Sequence, residues 1–520
     1  MTDILTLQTS WNRLLAVVEE QARTLLRTAF SPIVREAGDL SAGVFDPKGR
    51  MLAQAVTGTP GHVNSMAASV GRHFTRFPPE TMRDGDIFIT NDPWDGTGHK
   101  NDLVVTTPVF RGGKLVALFS CTSHLTDLGG LGFGPDATDV YAEGLGLPIM
   151  KLATGGEINE AILDIVAANS RLPEDSVGDV HSLVACNEIG ARRLNAMMDE
   201  FAIADLDALG DYILTTSRNG VLSAMADLPR GSWSYRMRVD GYDHPIDLAA
   251  TTTIENDRVC VDFAGTSPEV GRGINVPLTY TAAYTSFGLA CALAPHVPNN
   301  AGSLAVYETR APEGSILNAR PPAPVALRHV IGQMLPDMVF GCLRQAIPGR
   351  LPAEGTSCLW NITLRGVSGD MASADGENFA LTVTSNGGTG ARPGLDGLSA
   401  TAFPSGVKGS SVEIMETVAP IVIRRKELRP GSGGTGLTRG GDGQSIEIAH
   451  RHGRAMTLLA AFDRIDYPAR GADGGADGLP GSVALGSGAR LRGKGTQTIP
   501  AGDSLAIETP GGGGLGRKSE

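Results

Sequence analysis

Apolar residues recur at helical spacing in several parts of the chain. Residues 9–30 place leucine, valine and alanine side chains three and four positions apart, and Ser10 stands where a capping residue would begin such a helix. Residues 157–205 show a helical pattern as well, and residues 280–293 and 330–347 are apolar runs typical of buried helices. The pattern therefore predicts helices near the start and in the middle of the chain.

Short apolar runs separated by turn residues predict β-hairpins. The first hairpin spans residues 43–53 and turns at residues 46–49, where a proline presets the turn and a glycine supplies the positive φ that ends it. The second hairpin spans residues 103–120 and turns at residues 111–114. Residues 221–263 return to short strand patterns. Hairpins and helices together predict an α+β fold.

Glycine clusters distinguish the C-terminal part of the chain. The 520 residues include 68 glycines without a Gly-X-Y period, and clusters at 431–434 and 511–514 punctuate short strands. The predicted fold class is therefore α+β, with mixed hairpin-rich sheets packed against helices and a Gly-rich β C-terminal region. The predicted regions are 1–230 (α+β with a metal site), 231–425 (central α+β) and 426–520 (Gly-rich β).

The charge balance narrows the class of partner. Lysine and arginine number 44 against 56 aspartates and glutamates, giving a net charge of −12, which disfavours binding to nucleic acid or an anionic membrane surface. No run approaches the roughly 20 apolar residues of a membrane span, and the start lacks the pattern of a signal peptide. We expect a cytoplasmic protein.

The second hairpin brings metal-ligating residue types together. If Gly112 and Gly113 are its central turn residues, antiparallel pairing places His124 opposite Asn101. His99, Asp102 and His124 then meet at the open end of the hairpin. Two imidazoles and a carboxylate suit Zn²⁺, Mn²⁺ or Fe²⁺, which would activate a water molecule.

The same residues have a simpler interpretation. Polar side chains at a strand end often bond only to nearby carbonyl groups, and the register alone does not decide between the two alternatives. Asp39, beside the first hairpin, is the best candidate for a fourth ligand. His62 either caps a helix or lines the same cavity, and the cap is the commoner role.

Other catalytic motifs are weak. Residues 431–436 match GxGxxG but open no predicted helix, so the context for a dinucleotide is missing. Residues 488–494 begin like a phosphate loop, yet Gly495 replaces the serine or threonine that would bind magnesium. The sequence contains no GxSxG nucleophile motif.

Longer motifs carry a family resemblance. They occur in order along nearly the whole chain, at residues 36–41, 91–102, 123–130, 143–145, 262–268, 298–302, 311–315, 429–434 and 509–514. On these segments the chain resembles the hydantoinase B/oxoprolinase family, which includes N-methylhydantoinase, 5-oxoprolinase, caprolactamase and the metal-bearing subunits of acetone and acetophenone carboxylases.

The resemblance implies an enzyme that works with a partner. In such systems a hydantoinase A-type subunit or domain binds ATP and Mg²⁺ and phosphorylates the substrate or bicarbonate, while the B-type unit completes the reaction at a metal. It implies an α+β fold, an α2β2 or larger hetero-oligomer and one divalent transition metal, Zn or Mn. The implied ligands are Asp39, His99, Asp102 and His124. Leu125 stands where many members have a second histidine, which weakens the case for a two-metal site.

Three functions are compatible with this resemblance. The favoured one is an ATP-dependent cyclic amidase that opens a hydantoin, 5-oxoproline or lactam ring, with Asp127 or Glu36 as general base. The second is an acetone- or acetophenone-type carboxylase acting on a ketone, which must keep water away from its intermediate. The third is a non-catalytic scaffold for the A-type subunit.

Overall fold

The N-terminal region is built on one large sheet. A computed structural model describes residues 3–56, 58–357, 359–366 and 379–517. The region contains, in chain order, α1 (Ile4–Thr28), α2 (Pro32–Arg35), β1 (Leu40–Phe45), β2 (Met51–Gln54), α3 (Pro60–Arg76), a 3₁₀ turn (Pro79–Thr81), β3 (Ile87–Thr90), β4 (Asp102–Arg111), β5 (Lys114–His124), a second 3₁₀ turn (Val140–Glu143), β6 (Met150–Thr154), β7 (Glu157–Ile158), α4 (Glu160–Asn169), α5 (Pro173–Glu200) and α6 (Asp207–Met225). Its seven strands lie in the order β2-β1-β5-β4-β3-β6-β7.

Helices cover both faces of this sheet. Alternate residues of a strand point to opposite faces, so Phe119 contacts the core beneath α1 and α5 while Leu118 contacts the core beneath α3. Apolar burial is therefore continuous along β1 and along most of β5, rather than alternating. The two faces also determine where the polar residues at the sheet edge point.

The central region carries a second sheet. Its elements are β8 (Gly231–Val239), β9 (Ile246–Ile254), β10 (Val259–Asp262), α7 (Leu278–Leu293), α8 (Ala301–Leu304), β11 (Tyr307–Arg310), α9 (His329–Gly332) and α10 (Leu335–Ala346). The strands lie in the order β11-β10-β9-β8, and α10 packs against β8 and β9.

The C-terminal region forms two further sheets. Its elements are β12 (Leu359–Gly366), β13 (Ala380–Asn386), α11 (Val412–Val418), β14 (Ile421–Leu428), β15 (Gln444–His450), β16 (Met456–Ala461), β17 (Ser482–Leu485), β18 (Lys494–Ile499) and β19 (Ser504–Glu508). The strand orders are β13-β12-β16-β18 and β14-β15-β19-β17. A shared core, including Trp360, Ile448 and Leu505, fills the space between them.

The α+β class predicted from the sequence is confirmed, and several element boundaries differ. α1 begins at Ile4, so Ser10 lies buried inside the helix instead of capping it. The helical stretch 157–205 divides into α4 and α5, and the strands expected from residue 221 begin at Gly231, because α6 continues to Met225. Among the described residues, no helix has the length and apolar character of a membrane span.

The expected boundary at residue 425 does not separate the sheets. It falls inside β14, whose residues on both sides of the boundary pair with β15. β12, placed by the sequence in the central region, pairs with β16 of the last region. The structure therefore groups β12 and β13 with the C-terminal sheets.

The glycine cluster at 511–514 is packed and is not a turn. Each of its four amide groups donates to a carbonyl outside the cluster, and the acceptors lie on three segments: Leu479 and Ala476 on one, Gly441 on the second and Glu354 on the third. An added Cβ on Gly512 would lie 2.0 Å from the carbonyl oxygen of Thr389. Glycine is required here because the neighbouring backbones leave no room for a side chain.

His73 lies on the buried face of α3, and its titration makes the free energy of unfolding depend on pH. Burial lowers the pKa of His73 to about 4, from an ordinary value of 6.5. The unfolded chain therefore binds a proton below pH 6.5 that the folded chain refuses until about pH 4. The free energy of unfolding therefore falls by about 3 kcal/mol between pH 6.5 and pH 4 because of His73. We expect this part of the fall to be absent in His73→Phe. Urea unfolding between pH 7 and pH 4 measures it, with His181→Phe, at an exposed position of α5, as control. Equal pH dependence in both variants would contradict the assignment.

Candidate metal centre

The β4–β5 hairpin places two ligand candidates directly opposite each other. Asp102 begins β4, His124 ends β5, and the two residues are partners in the ladder. The predicted register, with His124 opposite Asn101, is therefore wrong by one residue. The turn itself is as predicted, because Arg111 pairs with Lys114, but an irregularity between Val109 and Phe110 shifts every pair beyond it.

Both side chains point toward α3. Val104 and Leu118 contact α3 on one face of the sheet, and strand alternation puts Asp102 and His124 on that same face. His99 reaches them from the preceding loop. Ligand atoms of His99, Asp102 and His124 all lie within 4.8 Å of one another, and all three residues are buried. The structure thus brings together three of the four predicted ligands.

His99 presents an unpaired ring nitrogen to the cluster. Its Nδ1 donates to the carbonyl of Ala326 at 2.8 Å, so Nε2 presents a lone pair. Burial, reinforced by Arg328, lowers the pKa of His99 to about 3. Nε2 is buried without a hydrogen bond and lies 2.7 Å from Oδ1 of Asp102. The lone pair of Nε2 and the carboxylate oxygen repel each other at this distance, and a cation bound between them would turn the contact into an attraction. Imidazole nitrogen and carboxylate oxygen are donors that fit a divalent transition metal.

The Asp102 carboxylate is held by neighbouring donors and charges. It is fully buried and accepts hydrogen bonds from Thr97 at 2.7 Å and from Arg328 at 2.6 Å. His62 Nε2 lies 3.0 Å from Oδ2, and His124 Nδ1 lies 3.3 Å from Oδ1. Burial opposes the charge, but the charge interactions with these neighbours hold the pKa of Asp102 well below its usual value.

Asp39 lies beside the three-residue cluster without belonging to it. It lines the same cavity, but its Oδ1 accepts from Thr59 at 3.0 Å and lies 3.5 Å from Nδ1 of His62. Its role as fourth ligand stays a prediction. His62, for which a helix cap was the commoner expectation, lies in the first turn of α3 between Asp39 and Asp102.

The two predicted general bases are not brought to the cluster. Asp127 is buried, and both its oxygens accept from Arg171 at 2.6 Å. Glu36 pairs with Arg35 at 3.0 Å near the surface. Neither side chain lines the cavity beside His99. The Asp127 carboxylate instead joins its own loop to Arg171, just before α5.

The cluster borders a cavity of about 20 Å³. Its wall includes side chains from distant segments that the sequence did not single out, namely Phe133, Tyr280, Arg328, His329, Gln333 and Asn361. The Phe133 ring meets His124 edge-on at 4.7 Å between ring centres and stacks on His329 at 5.8 Å. No spacing rule links these positions to the hairpin.

A second, larger pocket lies against His124. Its volume is about 300 Å³, and its wall includes Phe30, Ile33, Thr126 and Leu381 besides His124. This volume is at the lower end of the range for small-molecule sites. His124 therefore borders both the small cavity of the cluster and a pocket large enough for a small ring.

Comparison with known proteins identifies the family. A model of the hydantoinase B/oxoprolinase family matches residues 3–518. The chain belongs to this family. It is 28% identical to the B-type subunit of a putative D-/L-hydantoinase from a Pseudomonas species over 506 residues, covering 93% of this chain and 84% of the relative. It is also 28% identical to 5-oxoprolinase 1 of Arabidopsis thaliana over 550 residues, covering 99% of this chain but 42% of that protein.

Two solved structures of similar proteins share the fold. The ATP-dependent caprolactamase from Pseudomonas jessenii superposes with a TM-score of 0.91 at 25% identity, over 99% of this chain and 92% of that one. An acetone carboxylase superposes with a TM-score of 0.84 at 19% identity, over 99% of this chain and 76% of that one. A caprolactamase and an acetone carboxylase therefore share this fold, and the fold alone does not choose between the two reactions.

Proposed function

We propose that the chain is the metal-dependent B-type subunit of an ATP-dependent cyclic amidase, which opens a hydantoin, 5-oxoproline or lactam ring. The observation that carries the proposal is the buried cluster of His99, Asp102 and His124 beside a small polar cavity. The hydantoinase, oxoprolinase and caprolactamase among its relatives are named for cyclic amides, which supports this substrate class.

The residues of the chain divide the chemistry between them. A divalent cation held by His99, Asp102 and His124 would polarise a carbonyl oxygen and lower the pKa of water. The Ala326 carbonyl fixes the tautomer of His99, and Arg328 offsets the buried charge of Asp102. The pocket of about 300 Å³ beside His124 is the place we assign to the ring.

ATP binding is assigned to a hydantoinase A-type partner. The glycine-rich residues 431–436 and 488–494 would need to lead into a helix to hold phosphates. In the described chain the elements that follow them are the strands β15 and β18. We therefore propose that ATP and Mg²⁺ are bound by the partner in a hetero-oligomer, α2β2 or larger.

Metal content tests the cluster directly. We expect about one tightly held transition metal ion per chain, zinc or manganese, and its loss in both His99→Ala and His124→Ala. Elemental analysis after dialysis measures it. His181→Ala, at an exposed position of α5, is the matched control and keeps the metal. Metal retained in both cluster variants would refute the ligand assignment.

Turnover then separates the three functions. Together with an A-type partner and ATP, an amidase releases the open-chain product of a cyclic amide. A carboxylase instead transfers carbon from labelled bicarbonate to a ketone. A scaffold predicts that the His99→Ala complex is as active as the unsubstituted one.

A further inference from the structure

Two side-chain amides line the small cavity of the metal centre. Gln333 follows α9 and is 2% exposed, and Asn361 lies on β12. Oε1 of Gln333 and Oδ1 of Asn361 are both buried without a hydrogen-bond partner. Nδ2 of Asn361 donates to Nε2 of His329 at 3.2 Å. This hydrogen bond orients the amide and leaves its oxygen without a hydrogen-bond partner. Burying an acceptor without a hydrogen bond costs free energy of folding. Two such oxygens on one cavity therefore indicate that a molecule with hydrogen-bond donors binds there.

The size of the cavity suits a water molecule as this donor. Its volume of about 20 Å³ is enough for one water molecule, which needs roughly 10–15 Å³ and two to four polar partners. A water molecule has two hydrogens to donate, which matches the two amide oxygens. Donation to both would leave its lone pairs free for a further contact.

We propose that Gln333 and Asn361 hold one water molecule in this cavity, and that this water is the reagent of ring opening. The second half of the proposal rests on the proposed function. In that reaction the partner has phosphorylated the oxygen of the ring amide, and the water oxygen forms a bond to the carbon of that amide as the C–N bond breaks. Both hydrogens of the water end on the departing nitrogen. The acyl phosphate that remains then takes up a second water, which releases the carboxylate and free phosphate. Gln333 and Asn361 are positioning residues, since they act through the water.

A held water also bears on the choice of reaction. A carboxylase has to exclude water from its reactive intermediate, whereas an amidase consumes water. A site that binds a single water next to His99 and His124 therefore favours hydrolysis. This preference is independent of the names of the relatives.

Stability and crystallography test the water site without turnover. Gln333→Met keeps the length of the side chain and removes both polar atoms. If the amide oxygen is unpaired in solution, this change raises the melting temperature. If it binds water, the change lowers the melting temperature, because Asn361 loses the bridging molecule. Ser10→Ala in α1 is the control, since the Ser10 hydroxyl is also buried without a partner but belongs to a helix that does not line this cavity, and we expect it not to lower the melting temperature.

A high-resolution crystal structure gives the second readout. We expect density for one water within hydrogen-bond distance of both amide oxygens in the unsubstituted chain, and none in Gln333→Met. No water in the unsubstituted chain, together with a raised melting temperature for Gln333→Met, would overturn the inference and leave the proposed function intact.

Turnover tests the role of the water. In the complex with the A-type partner, we expect Gln333→Met and Asn361→Leu to lower kcat about 100-fold while KM and metal content stay unchanged. Unchanged kcat in both variants would overturn the role as reagent. Water present in the crystal but no ring opened by the unsubstituted complex would mean that the proposed function, and not the water site, has failed.

Discussion

Replacing Asp102 with alanine is expected to lower the free energy of unfolding by about 3–5 kcal/mol, even in metal-free protein. The loss arises because the change leaves the buried guanidinium of Arg328 without its carboxylate partner. The Arg328 side chain is 2% exposed, and its guanidinium lies 4.1 Å from the centre of the Tyr280 ring, so it has no path to water when the carboxylate is gone. Urea unfolding of the metal-free variant measures the loss.

A double substitution separates the charge from the packing. In Asp102→Ala with Arg328→Met, the buried guanidinium is removed together with its carboxylate partner, so we expect the loss to be smaller than the sum of the two single losses. Asp247→Ala is the control, because its ion pair with Arg238 is half-exposed and is expected to contribute far less. Additive losses at Asp102 and Arg328 would show that their pairing contributes little.

Gly512→Ala is expected to destabilise the C-terminal sheets by more than about 4 kcal/mol, which in practice means loss of soluble protein. The new Cβ would lie 2.0 Å from the carbonyl oxygen and 2.4 Å from the carbonyl carbon of Thr389. Thr389 cannot move aside easily, because its backbone is hydrogen-bonded to both Leu398 and Gly441 at 2.9 Å. Soluble yield and urea unfolding measure the effect.

Gly71→Ala provides the matched control. Gly71 lies inside α3, and a Cβ there would meet nothing within 4 Å. Alanine is the better helix former, so we expect a gain of up to about 1 kcal/mol. A stable, soluble Gly512→Ala protein would contradict the tight packing of the 511–514 cluster.

Local sequence patterns predicted the β4–β5 hairpin but not its register. The paired glycines located the turn, since Arg111 does pair with Lys114. The irregularity between Val109 and Phe110 has no sequence signal of its own, because valine and phenylalanine suit regular strands equally well. The cluster of His99, Asp102 and His124 was nevertheless predicted, since a slip of one residue moved His124 from Asn101 to the neighbouring Asp102.

The remainder of the centre depends on contacts between distant segments. Arg328 lies 226 positions from Asp102, and Asn361 lies in a different sheet from the hairpin. Such positions are specified by the packing of whole sheets and helices, which spacing along the chain does not encode. The position of Asp127 away from the cluster has the same origin, because its ion pair with Arg171 spans 44 positions.

The packed glycines at 511–514 also constrain how the protein is made. A ribosome adds this segment after Glu354, Gly441, Ala476 and Leu479, the four residues whose carbonyls it pairs with. Those carbonyls have no native partner while the chain is still being synthesised. These carbonyls can therefore gain their native hydrogen bonds only after translation has passed residue 514, and a chain truncated shortly before that residue leaves the segments around them open to proteases.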